Sequence, residues 1–328
     1  MTPAELSRTV VRVVRSAVDE GALVLVGGAV PDVVKVERPR PGGAGDYASG
    51  VALKLAAAAG LPPRRVAELL RQRIADQPGI ALVDVTGPGF LNITLDRGAQ
   101  FDVVRQIVRC GTRYGYGDAL RGHSVAFADA GESRARVVTE VVVRLIRAQG
   151  GEARIVAHGG SRLPVVACEA GQLAELVGSD AARWAMLRAA RHDRPRTDVD
   201  ELLGQRESSS FFRVRYAYSR SRALVRNARQ LGFAAEAGDV PEGDVLLGLL
   251  GDHPGVLEGA ARHRAPDRLA RQLEALADEL LSFQHGVLPL GDEKPSAAHR
   301  SRLALAEAAG TVLAGGLSLL GIDAPEFL

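Results

Sequence analysis

Apolar residues recur every three or four positions from Thr2 to Glu20, with Leu6, Val10, Val13, Val14 and Val18 on one side. That spacing predicts a helix, with Thr2 as its cap and Pro3 in its first turn. Val33–Arg38 alternates like a strand. Residues 39–45, PRPGGAG, read as a loop that no regular element runs through. The pattern then predicts an Ala-rich helix from Asp46 to about Ala59, with Asp46 capping it and Tyr47 packed beneath it. A second helix follows through Arg64–Ala75, started by Pro62 and Pro63. Ile80–Thr86 and Phe90–Leu95 read as strands joined by a turn at Gly87-Pro88-Gly89, and Ala99–Arg109 as a helix.

The pattern changes after about residue 118. Ser124–Ala128, Ser133–Gln149 and Ala153–Ala157 read as strand, helix and strand, the spacing of one parallel crossover, and Val165–Cys168 as one more short strand. From Leu173 on the period is helical throughout: Leu173–Val177, Ala181–Ala190, Val199–Arg229, Arg268–Phe283 and Ser296–Leu320. Pro and Gly interrupt it at 241–243, 254–255 and 289–291. The fold class expected is an α+β N-terminal domain, a short α/β (Rossmann remnant) middle and an all-α C-terminal helical bundle. The boundaries fall at 1–118, 119–172 and 173–328.

Composition narrows the function classes. Hydrophobic residues make up 46% of the 328 and aromatics only 4%, so the cores are built from Ala, Val and Leu. The net charge is +2, which neither demands nor excludes nucleic acid. Lysine occurs only at Lys35, Lys54 and Lys294, so arginine supplies nearly all the positive charge. Cys110 and Cys168 lack metal-ligand spacing, and no metal site is expected. The N-terminus lacks the continuous apolar stretch of a signal peptide, and no uninterrupted apolar run reaches the 18 or so residues a membrane span needs. A cytoplasmic protein with no membrane partner is the expectation.

Two stretches carry a resemblance. The first is VKVERPRPGGAGDYASGVALKLA with the later VDVTGPGFLNITL. Gly45, Asp46, Tyr47 and Ala48, then Gly87, Pro88, Gly89, Phe90, Leu91 and Asn92, resemble the G-D-[YF]-A and G-P-G-F-[IL]-N words of the additional N-terminal domain of arginyl-tRNA synthetases. The second is LAELVGSDAARWAMLRAARHDRPRTDVDELL with the later FFRVRYAYSRSRALVRNA. Gly178, Asp180, Ala181, Arg183 and Trp184, then Tyr216, Ala217 and Arg220, resemble the start of the same family's DALR-type anticodon-binding domain. Tyr218 stands where the family's Y-A-H-A-R word has His, and the C-terminus reads A-P-E-F-L where the family commonly has A-P-E-[RK]-M. The chain thus resembles a truncated paralogue of this class I aminoacyl-tRNA synthetase, with both ends retained and the catalytic domain largely missing.

The resemblance implies ATP chemistry held by an H-I-G-H-type element and a Lys-bearing loop of the K-M-S-K-S type. At the matching place this chain reads Ala130-Gly131-Glu132-Ser133-Arg134-Ala135-Arg136, and no lysine lies between Lys54 and Lys294. The expectation is therefore no catalytic residue, no cofactor and no enzyme activity. The alternative that the family label implies is arginine–tRNA ligation. Arg134, Arg136, Arg144 and Arg147 of the middle helix read as a solvated face.

RNA-binding candidates lie at both ends. Phe211–Arg229 holds six arginines and no acid, with Tyr216 and Tyr218 among them. Arginines beside aromatics suit phosphate contact with stacking on unpaired bases. The candidates are Arg213, Arg215, Tyr216, Tyr218, Arg220, Arg222 and Arg226, which the resemblance places near an anticodon. In the N-terminal domain, whose G-P-G-F-x-N strand the resemblance places near the tRNA elbow, Phe90 is a candidate to stack on a D-loop base and Asn92 to read its edge. His253–Arg268, with His253, Arg262, His263, Arg264 and Arg268, would extend the basic surface. The expected partner is tRNA, tRNA for arginine being the named candidate. A protein-interaction scaffold docking on a full-length synthetase or another protein is the alternative.

Overall fold

The computed structural model describes residues 1–27, 30–39, 44–168, 173–206 and 208–328, apart from the side chains at 97, 99 and 100. Residues 40–43 of the expected loop lie outside that set. Two compact units divide it, Met1–Val103 and Val104–Leu328.

In the first unit, α1 (Pro3–Asp19) opens with a capping box in which Thr2 and Glu5 satisfy each other's backbone N–H groups. β1 (Val36–Glu37), β2 (Tyr47–Ser49), β3 (Ile80–Thr86) and β4 (Phe90–Leu95) form one antiparallel sheet in the order β1-β2-β4-β3. α2 (Val51–Ala59) and α3 (Pro63–Ala75) pack on it. Leu6, Val10, Val14, Leu55, Leu70, Ile74, Leu91 and Ile93 fill the core. The β3–β4 turn fits tightly over the start of α3. Gly89 sits at φ 139°, and a Cβ there would meet the Pro63 backbone at 2.8 Å.

One expectation is corrected here. Asp46 does not cap the Ala-rich helix, which starts later, at Val51, behind Gly50. The Asp46 carboxylate instead accepts from the Leu95 N–H at 2.8 Å, and Tyr47–Ser49 pairs with β4 as a strand. Two sequence-distant strands compete for residues that local propensity assigns to a helix, and the ladder hydrogen bonds win. Tyr47 is buried in the core as expected.

The second unit starts within α4 (Arg97–Cys110). β5 (Ser124–Ala128), α5 (Ser133–Ala148) and β6 (Glu152–Val156) form the anticipated parallel crossover. Val165–Cys168 forms no strand; what joins this sheet is a single bridge from Ser161 to Phe127. The helices α6 (Leu173–Val177), α7 (Ser179–Arg188), α8 (Val199–Leu203), α9 (Ser210–Gln230), α10 (Asp244–Arg262), α11 (Pro266–Phe283) and α12 (Ala297–Leu320) build the bundle. The α+β, α/β and all-α classes are those the periodicity implies.

Within the bundle three expectations change. The long helix expected over Val199–Arg229 breaks into α8 and α9, and Ser209 caps the second through its hydroxyl, which accepts from Phe212 N–H. Pro254 does not stop α10. α12 passes by length and composition as a membrane-crossing helix, although no uninterrupted apolar run does; 78% of its most apolar stretch is buried, so it is the bundle's central helix. Close packing on it uses small residues. The Ser221 hydroxyl of α9 donates to Ala306 O at 2.8 Å beside Gly310, where a Cβ would lie 2.1 Å from Ser221 Oγ.

Candidate nucleic-acid interface

α9 owes its form to its two faces. Phe211, Val214, Ala217, Ser221, Leu224, Val225 and Ala228 are buried, and the arginines occupy the positions between them. Because the helix carries no acid of its own, the partners of those arginines come from other elements. Arg213 Nε pairs with Asp278 of α11 at 2.8 Å. Arg220 Nε donates to Gln284 Oε1 at 2.8 Å. Arg215 lies over the Phe211 ring, 5.1 Å from its centroid, and its Nε is shielded from solvent with no hydrogen bond. Tyr216 is half-buried and stacks on Phe212 at 5.4 Å.

The last turns of α9 meet the C-terminal segment. Arg222 Nε approaches Glu326 Oε1 at 3.3 Å, and Arg226 Nη1 approaches Glu326 Oε2 at 3.7 Å. Ser219 Oγ donates to Glu326 O at 3.1 Å. The Arg226 guanidinium lies 4.2 Å from the centroid of the Phe327 ring. Burial raises the Tyr218 phenol above its ordinary pKa, with Arg222, Glu326 and Arg226 as its charged neighbours, so it stays a neutral hydrogen-bonding group.

The motif residues of α7 hold the same segment. Arg183 Nε donates to Leu320 O at 2.7 Å, and its Nη2 to Glu140 of α5 at the same distance. A cation placed on the last carbonyls of α12 meets the negative end of that helix's dipole. Asp180 Oδ2 accepts from Asp323 N–H at 3.2 Å. Trp184 is buried, and its indole N–H donates to Ser210 Oγ at 3.1 Å. These residues therefore fix the end of α12 and the start of α9.

Arg134 corrects the solvated-face expectation for α5. It is fully buried, and its guanidinium donates to the carbonyls of Met186, Val166, Asp193, Ala189 and Ala190 at 2.7–3.2 Å. Arg136, Arg144 and Arg147 do lie exposed. Glu132 caps α5, accepting from the N–H groups of Arg134 and Ala135. Burial opposes its ionisation, but these bonds and the one from Cys168 N–H outweigh that and lower its pKa. His253 is likewise not part of a basic surface: it is 2% exposed and its Nδ1 bonds Gln272.

In the first unit, Phe90 is 43% exposed at the start of β4 and is presented to solvent. Asn92 is 7% exposed, and its amide Nδ2 donates to Thr86 Oγ1 across the hairpin at 2.8 Å. Phe90 is thus placed for an outside contact, while Asn92 holds the turn that carries it. Among the described residues no group of His, Cys, Asp and Glu has the arrangement of a metal site.

A family model described as the arginyl tRNA synthetase N terminal domain matches residues 6–95, and one described as the DALR anticodon binding domain matches residues 214–328. The arginine–tRNA ligase of Frankia alni aligns at 27% identity over 555 positions, covering 99% of this chain and 100% of that relative. The arginine–tRNA ligase of Renibacterium salmoninarum is 43% identical over 160 residues, which span 46% of this chain and 29% of that relative. The arginyl-tRNA synthetase of Thermus thermophilus superposes with a TM-score of 0.74 at 12% identity, over 100% of both chains. That of Plasmodium falciparum gives 0.69 at 8%, again over 100% of both. At such identities the structural likeness is one of fold.

Two expectations are overturned. Likeness confined to two retained ends, the sign of a truncated paralogue, is replaced by a match that runs end to end and takes in the middle segment as well. The reading of the chain as no enzyme is corrected by its relatives, which are named as ligases.

Proposed function

We propose that this chain, which joins the N-terminal and DALR anticodon-binding domains of the arginyl-tRNA synthetase family, binds tRNA, and tRNA for arginine in particular. The observation that carries this reading is the α9 row of six arginines with Tyr216 and Tyr218 and no acid on the same helix. Guanidinium groups take phosphate oxygens in pairs, and aromatic faces accept unpaired bases. The helical unit would hold the anticodon loop through Arg213, Arg215, Tyr216, Tyr218, Arg220, Arg222 and Arg226. The first unit would offer Phe90 to a base of the tRNA elbow, with Asn92 stiffening its hairpin.

Binding of the purified chain to labelled tRNA for arginine and to an unrelated tRNA, each at low and at moderate salt, tests the reading. Phosphate contacts release counterions, so affinity must fall as salt rises. Selective, salt-sensitive binding supports the reading. Absence of binding at low salt refutes it.

A second reading, ATP-dependent ligation of arginine to tRNA, is favoured by the names of the relatives. Arginine-dependent pyrophosphate exchange in the presence of tRNA distinguishes the two: exchange above background establishes activation chemistry, and binding without exchange leaves the tRNA-binding reading alone.

A further inference from the structure

The geometry points to a nucleotide subsite at Arg222 and Arg226, made for a phosphate and the face of the adjoining base, which the chain's own Glu326–Phe327 fills until RNA displaces it. The inference rests on the tRNA-binding reading above and assigns this pair of arginines a regulated part in it.

Glu326 and Phe327 present to α9 the two features of a nucleotide in the same order. An anionic carboxylate lies between the two guanidinium groups, 3.3 Å from Arg222 and 3.7 Å from Arg226. A flat ring follows it in the chain and lies under the Arg226 guanidinium at 4.2 Å. Arginine stacked on a π face and bridged to an anion is the arrangement by which single-stranded nucleic acid is held.

The occupant fits poorly. Charge-assisted N–H···O contacts settle at about 2.7–2.9 Å when geometry is free. Neither carboxylate contact reaches that range. Arg226 Nη1 is shielded from solvent and makes no hydrogen bond. A phosphate carries more acceptor oxygens than a carboxylate, spread tetrahedrally, and would serve donors that the planar carboxylate leaves unmet.

The occupant is also held loosely at its far end. Ile322 is buried, and Asp323 N–H is tied to Asp180, so the segment is anchored up to that point. Beyond it the Glu326 carbonyl accepts from Ser219 Oγ at 3.1 Å and Arg226 Nη2 at 3.4 Å, but the groups that fill the subsite are open to solvent: Phe327 is 73% exposed and the Glu326 side chain 48%. Exposed ion pairs and cation–π contacts of this kind are individually weak. The side-chain contacts of Glu326 and Phe327 can therefore exchange for those of a nucleotide without disturbing the bundle beneath.

The test compares binding of labelled total tRNA by the full chain and by the E326A/F327A double variant, at low and moderate salt. The variant is expected to bind about fivefold tighter, from the release of two exposed ion pairs and one cation–π contact. Adding R222A and R226A to the double variant must abolish that gain. If wild type binds and the double variant binds equally or more weakly, the tail is no competitor and this inference falls while the tRNA reading stands. If neither binds at low salt, the tRNA reading fails and this inference fails with it. Unfolding followed by the fluorescence of Trp184, the chain's one tryptophan, guards against a folding defect. A tail that only anchors the helices would lower the unfolding midpoint without tightening RNA binding.

Discussion

The Tyr114 hydroxyl donates to the carbonyl of Leu250 at 3.1 Å. Leu250 is four residues before Pro254, which lies inside α10. Proline has no N–H, so the carbonyl one turn earlier loses its helical donor. The tyrosine supplies it from another element, and α10 continues from Asp244 to Arg262. Tyr114→Phe removes the donor and leaves a buried acceptor unmet, which costs about 1–3 kcal/mol. Pro254→Ala restores a backbone N–H to the same carbonyl. The double variant should therefore lose about 1 kcal/mol less than the sum of the two single changes. Additive losses in denaturant unfolding would show that the two residues are not coupled.

Arg134 is the next test. Three of its five acceptors, Met186, Ala189 and Ala190, lie at the C-terminal end of α7 or just beyond it, where the helix dipole is negative. Arg134→Met fills the volume but leaves buried carbonyls without donors, and should cost about 3–5 kcal/mol. Arg134→Lys should rescue little, since an ammonium group has three donors and cannot spread over five carbonyls. Unfolding monitored by Trp184 fluorescence reports on this unit, because that residue lies in α7. A lysine variant as stable as wild type would refute the account.

Much of this fold is written in local pattern, and what is not follows one rule. The β3–β4 hairpin, with Gly87-Pro88-Gly89 between alternating strands, and the α5 crossover need only their own residues, so period and turn chemistry reveal them. Asp46 as a carboxylate tied to β4, Arg134 as a buried clamp and Pro254 inside a helix all depend on a partner far along the chain: Leu95, the end of α7 and Tyr114. No window of sequence contains both members. The arginine row on α9 was legible as composition. That Glu326 and Phe327 lie on it was not, because tail and helix are about a hundred positions apart.

His253 makes stability depend on pH. Burial, partly offset by its bond to Gln272, lowers its pKa from 6.5 to about 4. Its ring stacks on Tyr114 at 5.9 Å, and the neutral form is the one the site holds. The folded-state value is below the unfolded one, so the unfolded chain takes up the proton first as pH falls. This residue therefore costs no stability above about pH 6.5, and stability is lost progressively between there and about pH 4. The full loss is about 3 kcal/mol, from 1.36 kcal/mol per pH unit. His253→Leu should be less stable at neutral pH, because Gln272 loses its partner, but should show a shallower fall between pH 7 and pH 5. Equal slopes in the two proteins would exclude His253 as the source.

Gly310 sets how closely α9 and α12 approach. Alanine is the better helix former by about 1 kcal/mol, so an exposed glycine there would gain from the change. Here the added Cβ would lie 2.1 Å from Ser221 Oγ and 2.7 Å from its Cβ. The Ser221 hydroxyl is held by its bond to Ala306 O and cannot simply turn away. Gly310→Ala should destabilise the helical unit by about 1–3 kcal/mol through overpacking. Adding Ser221→Gly, which removes the obstructing side chain, should recover part of that loss. A stabilising Gly310→Ala would mean that the helices separate freely at this point and that α9 is not fixed by its contact with α12.

The arginines of α9 differ in how firmly they are already engaged, and this should appear in the salt dependence of tRNA binding. Arg213 forms an ion pair with Asp278 at 2.8 Å, whereas Arg215 rests on the Phe211 ring. A phosphate approaching Arg213 must compete with a carboxylate; one approaching Arg215 need not. Arg215→Ala should weaken tRNA binding uniformly across sequences and reduce the slope of log affinity against log salt by about one. Arg213→Ala should change the slope less and lower the unfolding midpoint more, because Asp278 is left without its cation. The opposite ordering would move the phosphate path from the Arg215 side of α9 to the Arg213 side.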